Sequence, residues 1–407
     1  MLKPEIAARY QPVIGLEIHV QLSTQSKVFA TESFEFGGNP NEYVSPISLA
    51  HPGALPSLNQ ACIMHVAKMG LALNCSIAST TYFARKNYFY PDLPKGYQLS
   101  QAENPICQNG HIDVRLPDGS YRNIRIERIH LEEDAGKSIH DQDDKDSLID
   151  LNRAGVGLME IVTHPDIRTA QEASALVSEI RKIVRYIGVS DGDMEKGSLR
   201  CDANVSVMLK TATELGTRAE IKNMNSFSFL VQAINYEIER QITEIESGGE
   251  IIQETRTWDI DNQRTLSMRD KESADDYRYF PEPDLQPISI SEEEIAALKS
   301  SLPKLPDTLT REYIDQLGLP INEAMAIVED KGLSDYFEGI RALTSDQKAA
   351  AGWLMGPIKE YLNEHKSEIQ DFPISPNVLV SLIALVKNGK VNHGVARDRL
   401  FPELLKT

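Results

Sequence analysis

Residues 13–22 read Val-Ile-Gly-Leu-Glu-Ile-His-Val-Gln-Leu. Ile14, Leu16, Ile18, Val20 and Leu22 alternate with Gly15, Glu17, His19 and Gln21. Period-two alternation is the mark of a strand with one buried face. It puts Glu17 and His19 side by side on the opposite face. A carboxylate and an imidazole there suit a hard-metal or general-base site. A solvated sheet face has the same pattern.

Outward from this strand the first 285 or so residues are strand-rich. Residues 112–116 and 121–126 flank Pro117-Asp118-Gly119-Ser120, which signals a hairpin. Leu199, Cys201, Ala203, Val205 and Val207 alternate with polar neighbours, another strand. Two helices interrupt. Thr169 and Glu172 form a capping-box pattern ahead of Leu176, Ile180, Ile183, Val184 and Ile187. From Ser228 an apolar stripe runs through Leu230, Ile234, Ile238, Ile242 and Ile245 until Gly248-Gly249 ends it. Composition shifts near 285–295, after Pro281-Glu282-Pro283-Asp284. Beyond it only helical patterns appear, such as 349–362 and 376–387. The expectation is an α+β chain: a strand-rich domain over 1–290, then an all-α helical domain over 291–407.

The chain has 407 residues, of which 41% are hydrophobic, enough for more than one core. Its net charge of −18 argues against broad, nonspecific nucleic-acid binding and leaves room for a local basic site. No apolar run approaches the roughly 18 residues of a membrane span, so no membrane partner is expected. The N-terminus has no apolar signal core. Cys62, Cys75, Cys107 and Cys201 are scattered without a CxxC spacing, which fits a reducing cytoplasm and argues against a disulfide framework and a cysteine zinc site.

Several polar constellations stand out. His130-Leu131-Glu132-Glu133-Asp134-Ala135-Gly136-Lys137-Ser138 ends like a phosphate loop, but Leu131 stands where a Walker loop needs glycine. Its consecutive carboxylates suit Mg²⁺, or form a charged turn. Ser198, Arg200, Asp202, Asn204 and Ser206 share one strand face, read either as a phosphate-and-metal site or as a salt-bridged exposed strand. Glu220 and Lys222 repeat the theme. Residues 85–98 and 275–281 interleave bases with aromatics, as a base-stacking loop or as an ordered loop packed on the core. Serine-nucleophile and dinucleotide motifs are missing, so acyl hydrolysis has no support.

Together these strings resemble the B-subunit family of the glutamine-dependent aspartyl/glutamyl-tRNA amidotransferases. The matching stretches are VIGLEIHVQL (13–22), the block from Lys27 to Asn59 ending HPGALPSLN, RKNYFYPDLPKGYQLSQ (85–101), HLEEDAGKS (130–138), DLNRAG and MEIVTHPDIR (within 150–168), GSLRCDANVSV (197–207), EIKNMNSF (220–227), QETR (253–256) and DDYRYFPEPDL (275–285). The resemblance implies a cradle-shaped catalytic domain and then a helical one. It implies ATP- and Mg²⁺-dependent phosphorylation of the side-chain carboxylate of misacylated Glu-tRNA(Gln) or Asp-tRNA(Asn). Ammonia then arrives from a separate amidase (A) subunit, with a small (C) subunit completing a heterotrimer. It implies Glu17, His19, Glu132 and Glu220 around the metal. Arg200, Asp202, Asn204 and Lys222 belong to the phosphate and acyl-phosphate pocket. Lys86 and Lys95 lie along the ammonia path.

Three departures carry expectations of their own. The family's zinc cysteines are replaced by Phe29-Ala30-Thr31-Glu32-Ser33 and Ser45-Pro46-Ile47-Ser48, so no zinc is expected. Gly157 stands where the family usually has proline, which predicts a looser loop. The sequence ends at 401–407, where the family normally continues into a tail domain that contacts the tRNA elbow. That domain is therefore expected to be absent, which bears on tRNA affinity and specificity and not on the cradle chemistry. Acidity on the outside and function within are reconciled if Arg85, Lys86, Lys95 and Arg278 surround one cavity. The polar vocabulary alone also permits a stand-alone ATP-dependent amide ligase, while a non-catalytic tRNA-binding adaptor is opposed by the retained Glu17, His19, Glu132 and Arg200.

Overall fold

The opening strand extends over Tyr10–Gln21 (β1) and lies at the centre of a nine-stranded sheet. The computed structural model describes residues 3–101, 103–140, 142, 143, 145–268 and 277–406. The other strands of that sheet are Ser76–Ile77 (β2), Cys107–Arg115 (β3), Tyr121–Glu133 (β4), Gly157–Thr163 (β5), Leu199–Leu209 (β6), Ala219–Lys222 (β7), Thr255–Asp259 (β8) and Arg264–Ser267 (β9). Their order is β9-β8-β7-β6-β1-β5-β4-β3-β2, antiparallel except for the β7–β8 pair. The β3–β4 hairpin turns where Pro117-Asp118-Gly119-Ser120 predicts. Gly119 has φ +86°, and Asp118 Oδ1 accepts from Ser120 N at 2.9 Å.

Three helices cover one face: Gln60–Ala72 (α1), Ala170–Tyr186 (α2) and Phe227–Glu246 (α3). Ile14, Leu16, Ile18 and Val20 of β1 are at most 1% exposed, and Leu176, Ile180 and Leu230 of the helices are fully buried. Thr169 caps α2 by accepting from Glu172 N at 3.1 Å, while the Glu172 carboxylate takes the Arg168 N–H at 2.7 Å. The α3 cap is Ser226, two residues ahead of the predicted start, and Gly248 at φ +81° follows the helix end. Apolar burial of this kind, at about 25 cal/mol per Å², is what holds helix layer to sheet.

A second, three-stranded sheet pairs Phe280–Pro281 with Ala84–Asn87, and that strand with Tyr97–Ser100. It stands beside the helix-free face of the large sheet. Gln98 Nε2 donates to Glu133 O of β4 at 2.6 Å, and Leu99 N to Glu133 Oε1 at 2.9 Å. The open face of one sheet and the edge of the other thus enclose a cleft.

The chain divides into two compact units, Met1–Leu302 and Pro303–Thr407. The division falls later than 290/291 because the helix Glu292–Ser300 packs on α1. Among the described residues the second unit is helical throughout. The predicted helix over 349–362 is one run containing a π turn at Leu354–Ile358, where Pro357 lacks the N–H that α geometry needs. The predicted 376–387 helix is observed as Pro376–Lys387. No helix among the described residues is long and apolar enough to cross a membrane.

Gly157 does not sit in a loose loop. It opens β5 opposite Glu133, and its carbonyl accepts from Leu22 N at 2.8 Å. The segment from 27 to 48 is tied without thiolates. Lys27, 1% exposed, donates from Nζ to Tyr43 O at 2.7 Å and lies 3.5 Å from Glu32 Oε1.

A candidate cation and phosphate site

Register alone assembles the site on the helix-free face. Opposite His19 stand Glu160 of β5 on one side and Arg200 of β6 on the other, and Glu160 faces His130 of β4. One strand step along, Glu17 faces Asp202. A further step brings Asn204 opposite Glu220 of β7, and Glu220 opposite Thr255 of β8. Two residues on one strand are neighbours by sequence. Rows of four or five become neighbours only through pairing.

A cavity of about 340 Å³ opens on these rows. His19, Lys86, Glu132, Arg200, Asp202 and Lys222 line it, so six predicted site residues meet there. Glu17 and Asn204 line an adjoining cavity of about 410 Å³, where Asn204 Nδ2 donates to Glu17 Oε1 at 2.9 Å. Glu220 is engaged by Lys222 Nζ at 2.9 Å and by Thr255 Oγ1 at 2.7 Å. Lys95 turns away to ion-pair with Glu133.

Among the described residues His19, Glu132 and Glu160 form a group whose ligand atoms lie within 4.8 Å of one another. Of the four residues expected around the metal, His19 and Glu132 belong to this group. Glu17 and Glu220 stand outside it. Glu160 was not singled out by the sequence, because β5 reads as a continuous apolar run. A lone glutamate in Leu158-Met159-Glu160-Ile161-Val162 was the available signal. His130 was missed as well. Its Nε2 lies 3.2 Å from Glu160 Oε2 and 3.8 Å from Glu132 Oε2.

The electrostatics follow from burial and crowding. Burial opposes charge on His19 and His130, but the carboxylates of Glu160 and Glu132 outweigh it and lift both to about 9. Burial pushes the Glu160 carboxyl up, yet the two imidazoles hold it well below the usual range. Burial raises Glu17, and the charge on Glu160 adds to it. Lys222 is raised despite its burial, by Asp202 at 2.7 Å and by Glu220. The Asp134 carboxylate, 2.7 Å from Arg200, raises that guanidinium further.

These residues fit a divalent cation. Glu132 and Glu160 are 4% and 9% exposed, and among the described residues no lysine or arginine lies within 4 Å of either. Two buried carboxylates met at short range by imidazoles, with Ser100 Oγ 3.4 Å from Glu132, match the oxygen donors of a hard ion. The adjoining cations fit an anion, and Arg200 Nε is buried without a hydrogen-bond acceptor.

Lys86 Nζ sits 4.8 Å from the Tyr277 ring centre and 5.9 Å from that of Tyr88. Its charge is favoured, against burial, by Glu132. Of Arg85, Lys86, Lys95 and Arg278, Lys86 alone lines this cavity. Neighbours on a strand point to opposite sides. Arg85 therefore leaves the cavity and clasps Glu282 through Nε and Nη2 at 2.6 and 2.7 Å, beneath the Tyr97 ring. Asp275 and Asp276 lie outside the described residues.

Carboxylates that could hold a cation thus stand beside paired cations on one sheet face. Comparison with known proteins narrows this. Residues 12–296 match the model of the GatB/GatE catalytic domain, and 335–407 match that of the GatB domain. The B subunit of the aspartyl/glutamyl-tRNA(Asn/Gln) amidotransferase of Thermodesulfovibrio yellowstonii is 50% identical over 98% of this chain and 83% of its own length. Its counterpart in Chlorobium limicola gives the same figures, and that of a Synechococcus strain is 47% identical over 98% and 82%. The chain belongs to the GatB/GatE family.

Proposed function

We propose that this chain is the activating subunit of a tRNA-dependent amidotransferase, acting on Glu-tRNA(Gln), Asp-tRNA(Asn) or both. The observation that carries the reading is the meeting of His19, Glu132 and Glu160 with Arg200, Asp202 and Lys222 on one sheet face. It is supported by relatives of about 50% identity that are named as the B subunit of such an enzyme.

A carboxylate is a poor acyl donor until an oxygen becomes a leaving group. In the proposed reaction a side-chain oxygen of the tRNA-bound Glu or Asp attacks the γ-phosphorus of ATP. The bond from that phosphorus to the bridging oxygen breaks, and ADP departs. Ammonia then attacks the acyl carbon and phosphate leaves, with one proton lost from nitrogen. Mg²⁺ held by Glu132 and Glu160, with His19 beside them, would neutralise charge on the phosphates. Arg200 and Lys222 supply the fixed positive charge for the transferred phosphoryl group. Their carboxylate partners, Asp134 and Asp202, hold the two heads in place before substrate arrives. Asn204 orients Glu17, at the edge of the neighbouring cavity. Lys86, among its tyrosines, and Lys95 mark the path by which ammonia reaches the acyl carbon. The amidase and small subunits complete a heterotrimer in the cytoplasm.

The test uses the chain assembled with its amidase and small partners, given ATP and each misacylated tRNA. The expected result is Mg²⁺-dependent γ-phosphate release that requires a misacylated tRNA and yields the amidated product. Phosphate release indifferent to the acyl group, or amidation without ATP, would overturn the reading.

A further inference from the structure

The Gln253-Glu254-Thr255-Arg256 stretch has no part in the chemistry above, yet its strand closes the site on one side. β8 alternates: Thr255 and Thr257 are half-buried, while Arg256 and Trp258 are 9% and 5% exposed. The two faces have different partners. On the site face Thr255 Oγ1 donates to Glu220 Oε2 at 2.7 Å, and Thr257 Oγ1 accepts from Asn223 Nδ2 at 2.9 Å. Glu220 Oε1 in turn meets Lys222 Nζ at 2.9 Å, and Lys222 reaches Asp202 at 2.7 Å. On the helix face Arg256 donates to Thr265 Oγ1 and Thr265 O, at 2.8 and 2.9 Å, and lies 3.4 Å from Glu237 Oε2. Glu237 of α3 is fully buried and also accepts from Arg240, Gln241 and Thr265.

We infer that Thr255 is a positioning residue for Lys222, acting through Glu220, with the Arg256–Glu237 pair as its anchor. Thr255 holds one Glu220 oxygen, so the other stays turned to Lys222. Without that donor the carboxylate loses one constraint on its rotation, and the ammonium a well-fixed acceptor beside Asp202. The anchor explains why β8 can hold so fine a setting. It pairs in parallel with β7, and its register is locked from beneath by a buried carboxylate with several donors. Hydrogen-bond partners of metal ligands typically matter by roughly ten- to a hundredfold, and a loss of that order is expected for a partner of a phosphate-binding lysine.

The inference rests on the function proposed above, and the experiment separates the two. Thr255→Val removes the hydroxyl and keeps the β-branched shape, whereas Thr255→Ser keeps the hydroxyl. Each variant, in the assembled enzyme, is measured for Mg·ATP affinity by calorimetry, for γ-phosphate release and for thermal midpoint. The expected result is roughly tenfold weaker Mg·ATP binding and a roughly ten- to hundredfold slower release in Thr255→Val. Thr255→Ser restores both, with the midpoint unchanged in each. A Thr255→Val enzyme that binds and turns over like wild type overturns the inference alone. So does equal loss in both variants with a lowered midpoint, since that marks a merely structural strand. A wild-type assembly that neither binds Mg·ATP nor releases phosphate overturns the proposed function, and the inference with it.

Discussion

Glu132 and Glu160 lie on neighbouring strands, each buried beside imidazoles, with Ser100 Oγ also 3.4 Å from Glu132. The two imidazoles balance that charge, and a divalent cation would compete with them for it. Glu132→Gln or Glu160→Gln keeps the volume and removes that charge, so γ-phosphate release in the assembled enzyme falls to background. In Glu160→Gln the thermal midpoint without metal should fall, because His19 and His130 lose the carboxylate that balances them. A variant that retains wild-type release contradicts the assignment. At this scale the sequence was informative about type and poor about company. The alternation of β1 exposes Glu17 and His19 together, and that of β6 groups Arg200, Asp202 and Asn204. Which of these meet Glu132 depends on strand pairing, which a single strand's pattern does not contain. Glu160 was hidden by its surroundings, because a strand buried on both faces loses the period-two signal.

At the scale of elements, helix α1 approaches the sheet closely at one point. A Cβ on Gly70 would lie 2.3 Å from Cys107 Sγ and 2.9 Å from Ile77 Cδ1. Gly70→Ala therefore forces α1 away from β3, at a cost of about 1–3 kcal/mol. Urea unfolding checks this through a lowered midpoint at unchanged slope; an unshifted midpoint would show that the contact yields freely. Hairpin, caps and the glycine stop of α3 were legible because each is a local signal with a local cause. The four cations expected around one cavity were not placed correctly, since adjacent strand residues diverge. That rule sends Arg85 to Glu282 while Lys86 enters the cleft.

Over the whole molecule, a chain of net charge −18 keeps cations for particular tasks, and its most buried pairings control its response to acid. Burial works against the Glu282 charge, but Arg85 holds its carboxyl below the ordinary value of 4.5. A folded pKa below the unfolded one gives stability that is present above about 4.5 and is lost as pH falls through the folded value. Arg85→Ala leaves a buried carboxylate unpaired and should cost roughly 3 kcal/mol at pH 7. The difference from wild type should shrink below pH 4.5, once Glu282 takes up a proton. A cost independent of pH would assign Arg85 to packing against Tyr97 instead. The division into a strand-rich and a helical part was visible in composition. The helix at 292–300 was not assignable, because its allegiance is set by packing on α1.

The central claim is that this sheet face moves a phosphoryl group onto a side-chain carboxylate. The most direct test labels that carboxylate with ¹⁸O on Glu-tRNA(Gln) and Asp-tRNA(Asn), and supplies ATP, Mg²⁺ and ammonium to the assembled enzyme. An acyl phosphate intermediate hands its bridging oxygen to the departing phosphate. The account therefore predicts one ¹⁸O in each released phosphate for every amide formed. Amide formed with unlabelled phosphate would contradict it.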